Sequence, residues 1–181
     1  MDESNFHFRN AGLNDIQDII HINNSYLSFN TKSGFLITKY SETSLAKLIT
    51  NNPNCIFVAT ENGVIIGFIA ISFKLDTDVI NTLEWFDQSA KNKFEQSKPL
   101  YIEKVAVKIG QEKKQVGTFL YHSLIQQFPD FLFYSFIVKK PSVNLPSIKF
   151  HQKTGFIECA IFKAENFMGL DNYESIMYIK L

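Results

Sequence analysis

Hydrophobic positions along the chain come in short runs whose period switches between two and roughly 3.6. Residues 6–9 (FHFR) read as a short strand. Ile16, Ile19, Ile20 and Tyr26 then recur near helical spacing, with Gly12 and Asp15 placed as N-cap and third helical residue. Ser41 can cap a second helix with the apolar face Leu45, Leu48 and Ile49, which the polar stretch NNPN (51–54) stops. CIFVAT (55–60), ENG (61–63) and VIIGFIAISF (64–73) predict a β-hairpin, because β-branched and aromatic runs flank an Asn-Gly pair. The strand rhythm breaks over 75–99, a charged, helix-compatible insertion in which Val79, Leu83, Phe86 and Phe94 offer one face.

Strand pattern returns in LYIEKVAV (100–107). KIGQEKKQ (108–115) is a polar turn, and 116–128 is a helix turning Val116, Phe119, Leu120, Leu124 and Phe128 inward until Pro129 ends it. FLFYSFIV (131–138) is apolar throughout, as a strand in the middle of a sheet is. A helix from about 144 to 154 has Pro146 in its first turn and Gly155 past its end, and FIECAIF (156–162) and SIMYIKL (175–181) supply the last strands. The order β-α-α-β-β-β-α-β-α-β-β requires a sheet that mixes parallel and antiparallel pairs, hence an α+β class. A length of 181 residues fits a single domain spanning 1–181, with 75–99 inserted.

Charge removes some function classes. Eighteen basic residues cancel eighteen acidic ones, so no nucleic-acid partner is expected. The start MDESNFHFRN has neither a basic region nor an apolar core, and no apolar run approaches the ~18 residues that cross a bilayer, so a cytoplasmic chain without a membrane partner is expected. Cys55 and Cys159 are isolated, which supports neither a metal site nor a disulfide. Every basic residue except Arg9 is a lysine, so a bound phosphate would meet point cations instead of planar forks.

The chemically informative unit is the strand Val105, Ala106, Val107, the loop after it, and a helix opening on Val116, Gly117 and Thr118. Such a unit aims unpaired backbone N–H groups and the positive end of a helix dipole at one point, a site for a phosphate or pyrophosphate, although many such turns bind nothing. Taken with NLPSIKFHQKTGF downstream and the hairpin upstream, the segment YIEKVAVKIGQEKKQVGTFLYHSL resembles the GNAT superfamily of acetyl-CoA-dependent N-acetyltransferases over nearly the whole chain. The family signature places Arg or Gln five residues after a valine, then x-x-Gly-x-Gly or Ala. Here Val107 is followed by Glu112, Lys113, Lys114, Gln115, Val116 and Gly117. Gly117 keeps the second glycine, while Gln115 replaces the first and Glu112 puts a carboxylate where the pyrophosphate would lie. Lys113 and Lys114 offset that charge or form a solvated turn. Downstream, Asn144, Ser147, Phe150, His151, Gly155 and Phe156 match the family's next segment in order, and Asn144, Ser147 and His151 share one helical face.

The resemblance implies a GNAT-like, largely antiparallel sheet of about seven strands flanked by four to five helices. It also implies direct acetyl transfer from acetyl-CoA to a primary amine of a small-molecule or peptide acceptor, by a chain acting alone or as a homodimer and without metal. A non-catalytic acyl-CoA-binding or protein-interaction module on the same fold is the alternative that Glu112 and Gln115 favour. Family geometry implies that the strand at 100–107 splays from the next one and frees backbone groups of Val105–Val107 for pantetheine, with Asn144 and Ser147 along the pantetheine arm. Glu103 is the expected base, on the strand face shared with Val105 and Val107, or else a surface carboxylate paired with lysine. His151 stands where the family has a proton donor for the thiolate, or else is a helix histidine bonded to backbone. Trp85 and Phe86 either line an acceptor pocket or anchor the insertion.

Overall fold

Asn62 and Gly63 both take positive φ, 51° and 79°, the two-residue turn that the Asn-Gly pair predicts, and they join β2 (Ile56–Glu61) to β3 (Val64–Ser72) in the computed structural model. The structure describes residues 6–28, 34–111 and 115–181. Among these, the remaining strands are β1 (Phe6–Asn10), β4 (Glu84–Trp85), β5 (Lys98–Val107), β6 (Phe131–Lys140), β7 (Phe156–Phe167) and β8 (Leu170–Lys180). The helices are α1 (Ile16–Asn24), α2 (Glu42–Asn51), α3 (Thr77–Asn81), α4 (Gln88–Gln96), α5 (Val116–Gln127) and α6 (Leu145–Lys153). The strands follow the order β1-β2-β3-β5-β6-β8-β7-β4. The β5–β6 ladder is parallel, and β1–β2, β2–β3, β6–β8, β7–β8 and β4–β7 are antiparallel. The α+β class and mixed, mostly antiparallel sheet are as expected, with one more strand than the seven read from the sequence.

Two compact units divide the chain. The first takes residues up to Ser28, Leu36–Ile71 and Glu103–Pro129. Its core joins Ile19 and Ile22 of α1 and Leu45 of α2 to Ile56, Val58 and Phe68 of the sheet. Each such side chain gains ~1.5–3 kcal/mol by burial. The Asp15 carboxylate accepts from the Gly12 N–H at 2.7 Å and from Arg9 at 2.6 Å, which caps the turn before α1 and holds the Asp15 carboxyl below its ordinary range. Thus Gly12 and Asp15 start a 3₁₀ turn, Leu13–Asp15, that runs into α1.

The second unit takes Ser72–Ile102 and Asp130–Leu181 with the stretch ending at Phe35. Ala90 and Phe94 of α4 pack with Leu132, Tyr134, Cys159, Met177 and Ile179. The insertion is therefore two short helices around the two-residue strand β4. Asp76 caps α3 by accepting from the Val79 N–H, and Asp87 caps α4 by accepting from the Ala90 N–H. The expected apolar face does not hold as one: Phe94 is buried, whereas Phe86 is 56% exposed. The polar stretch 163–174 is also strand, an extension of the β7–β8 hairpin closed by Met168 and Gly169, both at positive φ.

Candidate functional site

Within the first unit, α5 begins after Gln115, whose φ of 61° and ψ of 20° are left-handed. An L side chain there costs ~1–2 kcal/mol that glycine avoids, so Gln115 sits in a backbone conformation that favours glycine. Its carbonyl accepts from the Phe119 N–H at 3.0 Å and opens the helix. The Gln115 side chain makes no cap, which leaves the first-turn N–H groups of Val116, Gly117 and Thr118 pointing out of the helix end. Val116 is fully buried; Gly117 and Thr118 are half-buried. Glu112, Lys113 and Lys114 lie outside the described residues.

Gly67, in the middle of β3, fixes where α5 starts. A Cβ there would meet the Ala106 carbonyl oxygen at 3.0 Å, Val116 Cγ1 at 3.1 Å and Leu120 Cδ1 at 3.2 Å. The sequence signal for it was a lone glycine inside the apolar run VIIGFIAIS, which marks close backbone approach. Beside it, the Tyr26 hydroxyl donates to the Val107 carbonyl at 2.7 Å, and the Lys108 N–H donates to the Ile66 carbonyl at 2.8 Å. The Val107 carbonyl thus accepts one hydrogen bond from within this unit.

Glu103 opens β5's contribution to this unit. Its side chain is exposed, yet the protein packed near the carboxyl raises its pKa, an effect the neighbouring Lys104 charge opposes. Lys104 does not pair with it as a surface ion pair would. Lys104 Nζ instead donates to the Thr38 carbonyl at 3.0 Å and stands 3.7 Å from the Tyr40 ring centroid. Burial lowers the Lys104 pKa to about 8. A carboxylate held above its ordinary range in reach of solvent is better suited to act as a base than an unshifted one.

Within the second unit, the β5–β6 ladder runs from Lys98↔Phe131 to Tyr101↔Tyr134, and then the Ser135 hydroxyl donates to the Ile102 carbonyl at 3.0 Å. Asn144 is buried as the N-cap of α6. Its Oδ1 accepts from the Ser147 N–H at 3.4 Å and its Nδ2 donates to the Phe35 carbonyl at 2.9 Å. His151 is 2% exposed, with Nδ1 2.8 Å from the Ser147 carbonyl. Since a carbonyl only accepts, Nδ1 carries the proton. Burial pushes the His151 pKa down to about 4, so the ring is neutral at pH 7. Asn144, Ser147 and His151 do share a face, where the Asn144 amide bonds to the backbone of Ser147 and Phe35 and His151 Nδ1 to the backbone of Ser147. Of the two readings of His151, the geometry is that of the backbone-bonded histidine. Trp85 packs on Phe94 at 5.6 Å between ring centroids and also lines a cavity of about 480 Å³ with Ile80 and Leu83, so it both anchors and lines; Phe86 does neither. Among the described residues no cluster of His, Cys, Asp and Glu could hold a metal, and no helix is long and apolar enough to cross a membrane.

The sequence profile of the Acetyltransferase (GNAT) family matches residues 16–156, from α1 through α5 and α6 to the first residue of β7. The chain belongs to the GNAT acetyltransferase family. No curated protein is similar to it in sequence at a significant level. Solved structures share its fold at low identity. Ard1 from Thermoplasma volcanium is 19% identical with a TM-score of 0.64, over 98% of this chain and 99% of that one. The ribosomal-protein-alanine N-acetyltransferase from Brucella melitensis is 18% identical with a TM-score of 0.67, over 97% and 99%. YncA from Salmonella typhimurium, solved with its cofactor acetyl-CoA, is 16% identical with a TM-score of 0.66, over 97% and 93%. As a GNAT family member the chain is an acyl-transferring enzyme, and Gln115, whose identity departs from the family signature, opens α5 in a left-handed conformation that favours glycine.

Proposed function

We propose that this GNAT enzyme transfers the acetyl group of acetyl-CoA directly to a primary amine of a small-molecule or peptide acceptor, with Glu103 as the base. The observation that carries the reading is Glu103 itself, exposed, on the signature strand and held above the ordinary carboxylate range. A free primary amine has a pKa of ~10.4 and is almost all ammonium at neutral pH, so attack requires its proton to leave first. Glu103 takes that proton, directly or through water. The amine nitrogen then adds to the thioester carbonyl, and the tetrahedral adduct collapses with cleavage of the C–S bond, the second proton of the nitrogen passing through water to the departing CoA thiolate. The first-turn N–H groups of Val116, Gly117 and Thr118 bind the CoA pyrophosphate, supported by the helix dipole. His151 transfers no proton in this scheme. Its neutral ring, bonded to Ser147, holds the last turns of α6 to their first.

Calorimetric titration with acetyl-CoA and with CoA, followed by a thiol-release assay across a panel of primary amines, tests the proposal. Binding of both and thiol release with at least one amine is the expected result. Absence of binding heat with either nucleotide, or binding without release for any amine, overturns it.

A further inference from the structure

The insertion between β3 and β5 contains a cavity that the acetyl-transfer reading does not use. Its volume of about 480 Å³ falls within the ~300–1,000 Å³ of small-molecule sites. The apolar part of its wall comes from Ile80 of α3, Leu83, Trp85 of β4 and Phe94 of α4. Phe94 is buried, whereas Ile80, Leu83 and Trp85 are only half-buried. Packed cores close over side chains of that size, so three half-buried ones around a single space mark a surface shaped for a ligand. The rings of Trp85 and Phe94, 5.6 Å apart and tilted by 52°, give that surface an aromatic corner. Its walls are held in place: Asp76 caps α3, Asp87 caps α4, and Ala90 and Phe94 fasten α4 to the core.

The charges in the lining are one of each sign. Lys91 and Glu95, one turn apart on α4 and on either side of Phe94 in sequence, place Nζ 3.8 Å from a carboxylate oxygen. Both side chains reach solvent, and an exposed pair at that distance is weak, so a ligand can part it at little cost.

We propose that this cavity binds a free apolar amino acid, its side chain against Trp85 and Phe94, its carboxylate on Lys91 and its ammonium on Glu95. A ligand with one charge would satisfy one member of the pair and meet a like charge on the other. A zwitterion satisfies both, and an apolar side chain covers the half-buried wall. The site shares no residue with the acetyl-transfer reading, so each stands or falls apart from the other.

Trp85 is the single tryptophan of the chain, so its emission, excited apart from tyrosine, reports on the cavity directly. The full chain, without acetyl-CoA, is titrated at low salt with L-leucine and L-phenylalanine. The controls are 3-methylbutylamine, which is leucine without its carboxylate, and 4-methylpentanoate, which lacks the ammonium. At least one of the two amino acids is expected to shift the emission to the blue and to saturate with a Kd of ~1 mM or tighter. Both one-charge analogues should bind at least ~5-fold more weakly, and Lys91→Met and Glu95→Gln should each weaken the amino acid by at least ~5-fold. Lys91→Met should also erase the preference for L-leucine over 3-methylbutylamine. Absence of a saturable shift with both amino acids overturns the proposal. So does wild-type affinity in either variant, or an analogue that binds as tightly as the amino acid.

Discussion

A Cβ added to Gly67 would sit 3.0 Å from the carbonyl oxygen of Ala106, a backbone atom that cannot swing aside as a side-chain tip could. The same Cβ would press on Val116 and Leu120, the buried residues that seat α5 on β3. Gly67 thus joins the signature strand and the signature helix in one contact.

Gly67→Ala should accordingly cost ~1–3 kcal/mol of stability and weaken acetyl-CoA binding, because relief of the overlap displaces either Ala106 or the first turn of α5. Chemical denaturation and calorimetric titration report the two effects separately. Wild-type values in both would mean that the β3–α5 contact yields by a few tenths of an ångström at no cost.

Gln115→Gly should do the opposite. The left-handed backbone of Gln115 strains any side chain with a Cβ, so glycine is expected to stabilise the protein by up to ~1 kcal/mol, and Gln115→Val to destabilise it by more than that. Acetyl-CoA affinity should be kept in the glycine variant, since the helix start is unchanged. A less stable glycine variant would show that the Gln115 side chain makes contacts worth more than its strain.

Where the sequence was legible and where it was not follows from the range of the interactions involved. The Asn62–Gly63 hairpin, the Ser41 cap of α2 and the buried strand β6 are local signals, and each formed where its residues placed it. The strand character of 163–174 could not be read, because cross-strand pairing with β8 overrides the propensities of KAENF and LDNYE. The proposed roles of Gly117 and Glu103 rest on the signature pattern and on strand alternation. The contact of Tyr26 with Val107 joins residues dozens of positions apart, and no period or motif announces it. Burial was the other hidden variable. The spacing of Asn144, Ser147 and His151 was correct, and only the structure shows that Asn144 and His151 are buried and bonded to backbone.

The pH dependence of turnover should separate Glu103 from its neighbours. If Glu103 is the base, kcat/KM falls on the acid side as the carboxyl protonates, at a pH above the ordinary carboxylate range because the protein packed near the carboxyl raises its pKa. Lys104 opposes that shift, so Lys104→Met should move the acid limb to still higher pH. Glu103→Gln should abolish the limb and lower kcat by ~10² or more with acetyl-CoA affinity nearly intact. An acid limb that stays in place in Glu103→Gln assigns the proton to another group.

His151 makes its prediction through stability. Its pKa falls from 6.5 to about 4 on folding, so between those values the unfolded chain binds a proton that the native one refuses. Above pH 6.5 both forms are neutral and the stability is complete. As the pH drops toward 4 the native state loses ~1.4 kcal/mol per unit, roughly 3 kcal/mol in all. The raised pKa of Glu103 works with the opposite sign on the acid side, so the readout is the difference between wild type and His151→Phe, in which the Glu103 contribution cancels. Denaturation at pH 7 and pH 5 should show a steeper decline in the wild type, while thiol release by His151→Phe stays within ~3-fold of it. Loss of ~10² in turnover with unchanged acetyl-CoA affinity would instead make His151 a proton carrier in the reaction, and a shared pH slope would place its ring in contact with solvent.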